Sequence, residues 1–240
     1  MVVFAGLPDK AHHGWRYMDI APDGQLYIAI GSPCNICRGI GLEGTIVSLP
    51  RTGGTPSIFA RGIRNSVGFD FQPGSDDLYF TDNGTDGMGD DEPPEEFNHA
   101  PRAGLHFGFP YYGGGTARTR KFGRGTPPAG AVGPAVTFPA HNARLGVHFY
   151  EGDLFPPDYK GDAFVAHHGS WDRSIPDGYR VARVRFENGR AVKWEPFITG
   201  FLRVGRSWGR PVDVEELSDG SLLVSDDKAG FIYRITYRRP

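Results

Sequence analysis

Helix signal is nearly absent from this 240-residue sequence. No window keeps apolar residues at i, i+3, i+4 and i+7 free of Gly or Pro, which argues against a helical bundle. Cysteine is scarce, with Cys34 and Cys37 alone in PCNIC. A single CxxC lacks the second ligand pair that zinc needs and the βαβ setting of a thioredoxin-like site. No apolar run approaches the ~18 residues of a membrane span. The opening MVVFAGLPDK has no basic n-region and no long apolar core, so no signal peptide is read there. On that ground alone the chain is expected in the cytoplasm. Net charge is -2 with both signs mixed, and nothing points to a nucleic-acid partner.

Turn residues are what the sequence has in excess. It carries 35 Gly and 20 Pro, with 39% hydrophobic and 13% aromatic residues to fill a core. Short alternating strands between dense turns predict an all-β protein. DIAPDGQLYIAIG (19–31) recurs loosely as GFDFQPGSDDLYFTDNG (68–84), LFPPDYKGDAFVAHHG (154–169) and VEELSDGSLLVSDD (214–227). Each copy reads as a strand, a Pro/Asp/Gly turn and a second strand. Three are followed by an outer strand: GTIVSL, YRVARVRF and FIYRITY. One such unit per ~50 residues is the size of a β-propeller blade, and about four are present. The second copy instead enters a long segment, about 83–136, with little strand signal. Such a loop is usually functional.

Residues 59–110 hold the densest chemistry. Arg64 and Asn65 sit on a glycine-flanked turn, and the strand LYFT empties into an Asp/Asn/Gly loop at 82–91. Glycines let backbone carbonyls turn inward and carboxylates add anionic oxygens, which suits a hard cation. An EF-hand is excluded, because Gly84 takes the third position and Pro93 the twelfth. A plain solvated turn has the same composition.

GIRNSVGFDFQP, LYFTDNGTDGMGDD, EEFN and GLHFGFP, in that order, resemble the soluble pyrroloquinoline quinone (PQQ) sugar dehydrogenases, most nearly the sorbosone or aldose dehydrogenase branch. The similarity runs over nearly the whole chain. That family has six blades, with about two before the motif that matches His12-His13-Gly14. The resemblance therefore implies an incomplete six-bladed β-propeller, one domain over 1–240 with a loop insertion at about 83–136. It also implies PQQ and Ca2+ as cofactors, a small sugar oxidised at C1 to lactone or acid, and an external electron acceptor such as a cytochrome or dye. The family-length protein would be periplasmic or secreted. Whether two chains associate is left open.

The resemblance also assigns residues. His13 matches the general base that takes the proton from the anomeric hydroxyl, a role suited to a side chain titrating near operating pH. Neighbours on an extended backbone face opposite ways, so one of His12 and His13 is expected to look inward. Arg64, Asn65, Asn83, His168, Trp171, Arg206 and Arg210 fall at cofactor-contacting positions. Gly84 and Thr85 fall where two main-chain carbonyls hold calcium. Among Asp90, Asp91 and Glu95, Asp91 is favoured as the acidic residue. His141 is a candidate for the substrate mouth, and Cys34–Cys37 for a short-loop disulfide. Two other readings stay open: a calcium-dependent propeller lactonase using Asp19, Asp82 and Asp213, and a non-catalytic carbohydrate- or protein-binding propeller.

Overall fold

The structure, a computed structural model, describes residues 2–238. Four antiparallel sheets follow one another along the chain. The first contains Met18–Ile20, Gln25–Ile30, Thr45–Pro50 and Ser57–Arg61, with Leu105–His106 added in parallel at its edge. The second is built from Phe69–Phe71, Leu78–Asp82, Glu95–Ala100 and Val136–Phe138. Arg144–Phe149, Ala163–His167, Arg180–Glu187 and Arg190–Ile198 make the third, and Pro211–Glu216, Leu222–Asp226 and Phe231–Ile235 the fourth. Two small ribbons, Tyr112–Gly114 with Ala117–Arg118 and Leu202–Arg203 with Arg206–Ser207, project from connections. Among the described residues no α-helix forms, and the only helical turn is Pro157–Tyr159.

The hairpin turns follow from their residues. In Ala-Pro-Asp-Gly the Asp23 carboxylate accepts from the Gln25 N–H at 2.8 Å, and Gly24 takes φ +80° as its N–H donates to the Ala21 carbonyl. The side-chain bond and the left-handed glycine close the turn together. Two of the repeat units differ from the sequence pattern. In the third, the leading strand is Arg144–Phe149, because Pro156 and Pro157 cannot donate to a ladder and form a turn instead. In the second, the segment read as a loop contains EEFNHA (Glu95–Ala100) as a buried strand paired with Leu78–Asp82. Its charged first two residues mask the strand pattern.

The sheets stack in chain order. Tyr27, Ala29 and Ala60 of the first pack against Phe69, Leu78 and Phe80 of the second. Tyr79 and Phe97 leave the other face of the second and meet Val147, Phe149 and Val165 of the third. Phe164, Ala166 and Val181 in turn meet Val214, Leu222 and Val224 of the fourth. LYFTD is buried at every position because both of its faces are covered. Each fully buried aromatic, Phe69, Phe80, Phe97 or Phe164, contributes roughly 1.5–3 kcal/mol. The second and third sheets touch through backbone at their inner ends, where a side chain on Gly68 would overlap Leu145. Thr81 Oγ1 donates to the Leu145 carbonyl there at 3.0 Å. Among the described residues no helix is long and apolar enough to cross a membrane.

Candidate functional site

A cavity of about 720 Å³ opens where the ends of all four sheets converge, lined among others by Tyr17, Asn65, Asn83, Leu145, His168 and Val212. That size suits a small organic ligand. Asp82, the last residue of LYFTD, fixes one wall. Its Oδ2 accepts from the Arg64 N–H at 2.8 Å and its Oδ1 from the Asn65 N–H at 2.6 Å. Burial pushes the Asp82 carboxyl up from its ordinary value, against those two bonds.

Arg64 is buried, and four of the five N–H groups of its guanidinium are engaged. Nε donates to the Asn35 carbonyl at 3.1 Å, Nη1 to the Asn83 carbonyl at 3.0 Å, and Nη2 to Asn35 Oδ1 at 2.9 Å and Asp86 Oδ2 at 2.7 Å. Asn83 Nδ2 donates to the carbonyls of Asn65 and Arg144, both at 3.1 Å. The amide oxygens of Asn65 and Asn83 are buried and have no partner. Such atoms cost free energy unless a ligand or water satisfies them.

His13 enters from the loop before the first sheet. Its Nδ1 lies 2.9 Å from the Ser32 carbonyl, which can only accept, so Nδ1 carries the hydrogen and Nε2 presents a lone pair. A Cβ on Gly31 would press on His13 Cβ, so the bare glycine is what admits the ring. The pKa of His13 is driven down to about 3, first by burial and then by the Arg64 charge. Burial and the Arg64 charge thus move His13 away from the near-neutral titration expected of it. His12 also reaches the lining, from the exposed rim, its ring 4.0 Å from that of His13. The second pair separates cleanly: His168 lines the cavity, while His167 is buried beside Phe138 and Trp194.

Gly84 and Thr85 follow Asn83 into a buried turn. The Gly84 N–H donates to Glu95 Oε2 at 3.1 Å and the Thr85 N–H to the Gly113 carbonyl at 2.8 Å. Neither of their carbonyls accepts a hydrogen bond from another described residue. Gly84 lines the cavity, as does buried Glu95. Asp91 does not; it is exposed and pairs with Arg173 at 3.1 Å. Of the three candidates Asp90, Asp91 and Glu95, only Glu95 lines the cavity.

His168 lies 2.9 Å from Asp227, and Trp171 stands 69% exposed at the mouth. Arg210 lies behind this wall, donating to the carbonyls of His168 at 3.0 Å and Gly169 at 2.5 Å. Arg206 is exposed on the Leu202–Ser207 ribbon, away from the lining. His141 is buried and lines the cavity, with Nε2 donating to the carbonyls of Gly89 and Glu92. Cys34 and Cys37 are joined by a disulfide. Ser32 and Asn35, both in contact with the key side chains, carry no signal of their own, although Asn35 lies inside the CxxC; Asp86 lies in the 82–91 loop but is not singled out there.

The TrAA12-like family model matches residues 126–238. The PQQ-dependent pyranose dehydrogenase of Coprinopsis cinerea is 30% identical over 129 residues, 45% of this chain and 17% of that protein. The chain is a relative of the PQQ sugar dehydrogenases. An uncharacterized protein of Borreliella burgdorferi is 39% identical over all of the chain, which spans 65% of that protein's length. The holo PQQ domain of the Coprinopsis cinerea pyranose dehydrogenase superposes with a TM-score of 0.72 at 20% identity, covering 94% of this chain and 70% of that domain. At that identity the likeness shows the fold, a β-propeller-like arrangement shared with PQQ sugar dehydrogenases.

Proposed function

We propose that this chain binds PQQ with Ca2+ and oxidises an aldose or sorbosone-like sugar at C1, passing electrons to an external acceptor. The observation that carries the reading is the convergence of His13, Arg64 and two unpartnered amide oxygens, Asn65 Oδ1 and Asn83 Oδ1, on one cavity. The four sheets are read as blades of the six-bladed propeller that the resemblance implies, in an enzyme that works in the periplasm or outside the cell.

The cavity residues fit the cofactor. Arg64 offers a planar cation for a carboxylate of the quinone. Asn65 and Asn83 supply polar atoms that nothing else satisfies. The free carbonyls of Gly84 and Thr85 are hard oxygen donors suited to calcium, and Glu95 orients that turn through the Gly84 N–H. His168 and Trp171 flank the mouth, where an exposed indole can stack on a sugar face. Arg206, Arg210 and Asp91 lie off the cavity and are assigned no direct contact; Arg210 instead supports the His168 backbone.

When bound, the quinone supplies a hydride acceptor and calcium polarises it. The protein's own part is proton transfer and positioning. His13 Nε2 accepts the proton of the anomeric hydroxyl while Nδ1–H stays on the Ser32 carbonyl, which holds the ring in one tautomer. An anionic ligand beside Arg64 would offset the second cause of the low His13 pKa, the Arg64 charge.

A lactonase needs acidic metal ligands that converge on one cavity, and none of Asp19, Asp82 and Asp213 is among the residues lining this one. The test is dye-linked oxidation of a panel of aldoses, with the product identified as lactone or acid. Dye reduction dependent on both PQQ and sugar supports the reading. Quinone-loaded protein that reduces no dye with any aldose would refute the dehydrogenase and leave a binding propeller.

A further inference from the structure

We propose that Asp86, His141 and Asp172 form a second cation site, for a divalent transition-metal ion of the Zn2+, Co2+ or Mn2+ class. The ligand atoms that these three offer lie within 4.8 Å of one another. They come from separate parts of the chain: the loop after Leu78–Asp82, the connection before Arg144–Phe149, and the loop after Ala163–His167. His141 is buried and the two aspartates are half-buried.

Each side chain is oriented by one atom and leaves another free. Asp86 Oδ2 accepts from Arg64 Nη2 at 2.7 Å, and Asp172 Oδ2 from the Gly87 N–H at 2.8 Å. His141 Nε2 lies 2.8 Å from the Gly89 carbonyl and 2.9 Å from the Glu92 carbonyl. Carbonyls only accept, so Nε2 carries the hydrogen and Nδ1 keeps its lone pair. Asp86 Oδ1, Asp172 Oδ1 and His141 Nδ1 make no hydrogen bond with any described residue. A histidine anchored through its other ring nitrogen to a carbonyl, beside carboxylates held by N–H groups, is how proteins present metal ligands.

Charge and donor type choose the ion. Of the two carboxylates only Asp86 is paired with a guanidinium, that of Arg64, whose other three hydrogen bonds run to neutral oxygens of Asn35 and Asn83. Arg173, next in sequence to Asp172, turns away to Asp91 and the Asp90 carbonyl. A nitrogen donor with two carboxylates favours transition metals, whereas calcium prefers an all-oxygen set such as the Gly84 and Thr85 carbonyls. The site does not depend on the quinone reading.

The test uses the full chain, stripped of metal and without quinone, titrated with Co2+. The expected result is saturable uptake of one ion per chain with a visible absorption band, displaced by Zn2+ and not by an equal concentration of Ca2+. His141→Gln and Asp172→Asn each weaken uptake by more than about tenfold, since even an outer partner of a metal ligand is typically worth that much. Thermal melting checks that each variant is folded; Asp172→Asn, in a loop, decides if His141→Gln is not. No saturable uptake, uptake unchanged by Asp172→Asn (as a site on His12 and His13 would give), or displacement by Ca2+ overturns the proposal.

Discussion

Asn35 holds Arg64 twice, its carbonyl 3.1 Å from Nε and its side-chain Oδ1 2.9 Å from Nη2. The same Oδ1 accepts the Asp86 N–H at 3.0 Å. One amide inside the Cys34–Cys37 loop thus fixes both the cation of the cavity and the loop beside it. Removing the side chain breaks the bond to Nη2 and leaves the Asp86 N–H unpaired, while the Asn35 carbonyl still holds Nε. Asn35→Ala is expected to weaken PQQ binding about tenfold, the order of one lost hydrogen bond to a charged group. Titration of the variant by quinone fluorescence reads this directly; unchanged affinity would mean that Arg64 does not need the loop.

His13 acts, in this account, on the substrate and not on the cofactor. His13→Gln keeps a polar group of similar reach but no comparable base. Sugar oxidation is expected to fall by ~10²–10⁴ while PQQ affinity stays within about threefold. Stopped-flow reduction of the loaded variant and equilibrium binding separate the two. An equal loss of both would place His13 in cofactor binding.

The inner strands carry an acidic cluster whose energetics oppose the fold at neutral pH. Asp213 is pushed up to about 6, first by burial and then by Glu215 and Asp70, with His148 partly offsetting. Asp70 is also raised, chiefly by burial. A carboxyl whose folded pKa is raised stabilises the fold below its unfolded value near 3.8 and loses that contribution as pH rises through 6. Asp213→Asn keeps the oxygen that accepts the Val214 N–H but cannot ionise. The variant is expected to gain roughly 1–2 kcal/mol over the parent at pH 7.5 and little at pH 4. Urea unfolding at the two pH values measures the difference; a gain at pH 4 alone would reverse the sign of the argument.

The all-β class was readable because Gly and Pro erase helical periodicity and alternation survives in LYIAIG and LLVSDD. Register was less so. Glu95–Ala100 was hidden because a buried strand that brings two carboxylates to a cavity looks polar in sequence, and Pro93-Pro94 blurs which acid points inward. Arg64, Asn65, Asn83 and His13 reached the cavity from motif position, since strand ends deliver them through short turns. Arg206 and Arg210 did not, because their direction depends on a ribbon and a strand entry that spacing does not fix. Asn35 and Asp86 act through hydrogen bonds to residues distant in sequence, which leave no local pattern.

The most direct test is titration of the purified chain with PQQ in the presence and absence of Ca2+, followed by addition of an aldose. Saturable binding near one quinone per chain, weakened without Ca2+ and followed by sugar-dependent bleaching of the oxidised quinone, is the result predicted here. Folded protein that takes up no quinone with Ca2+ present would contradict the account, whatever its other ligands.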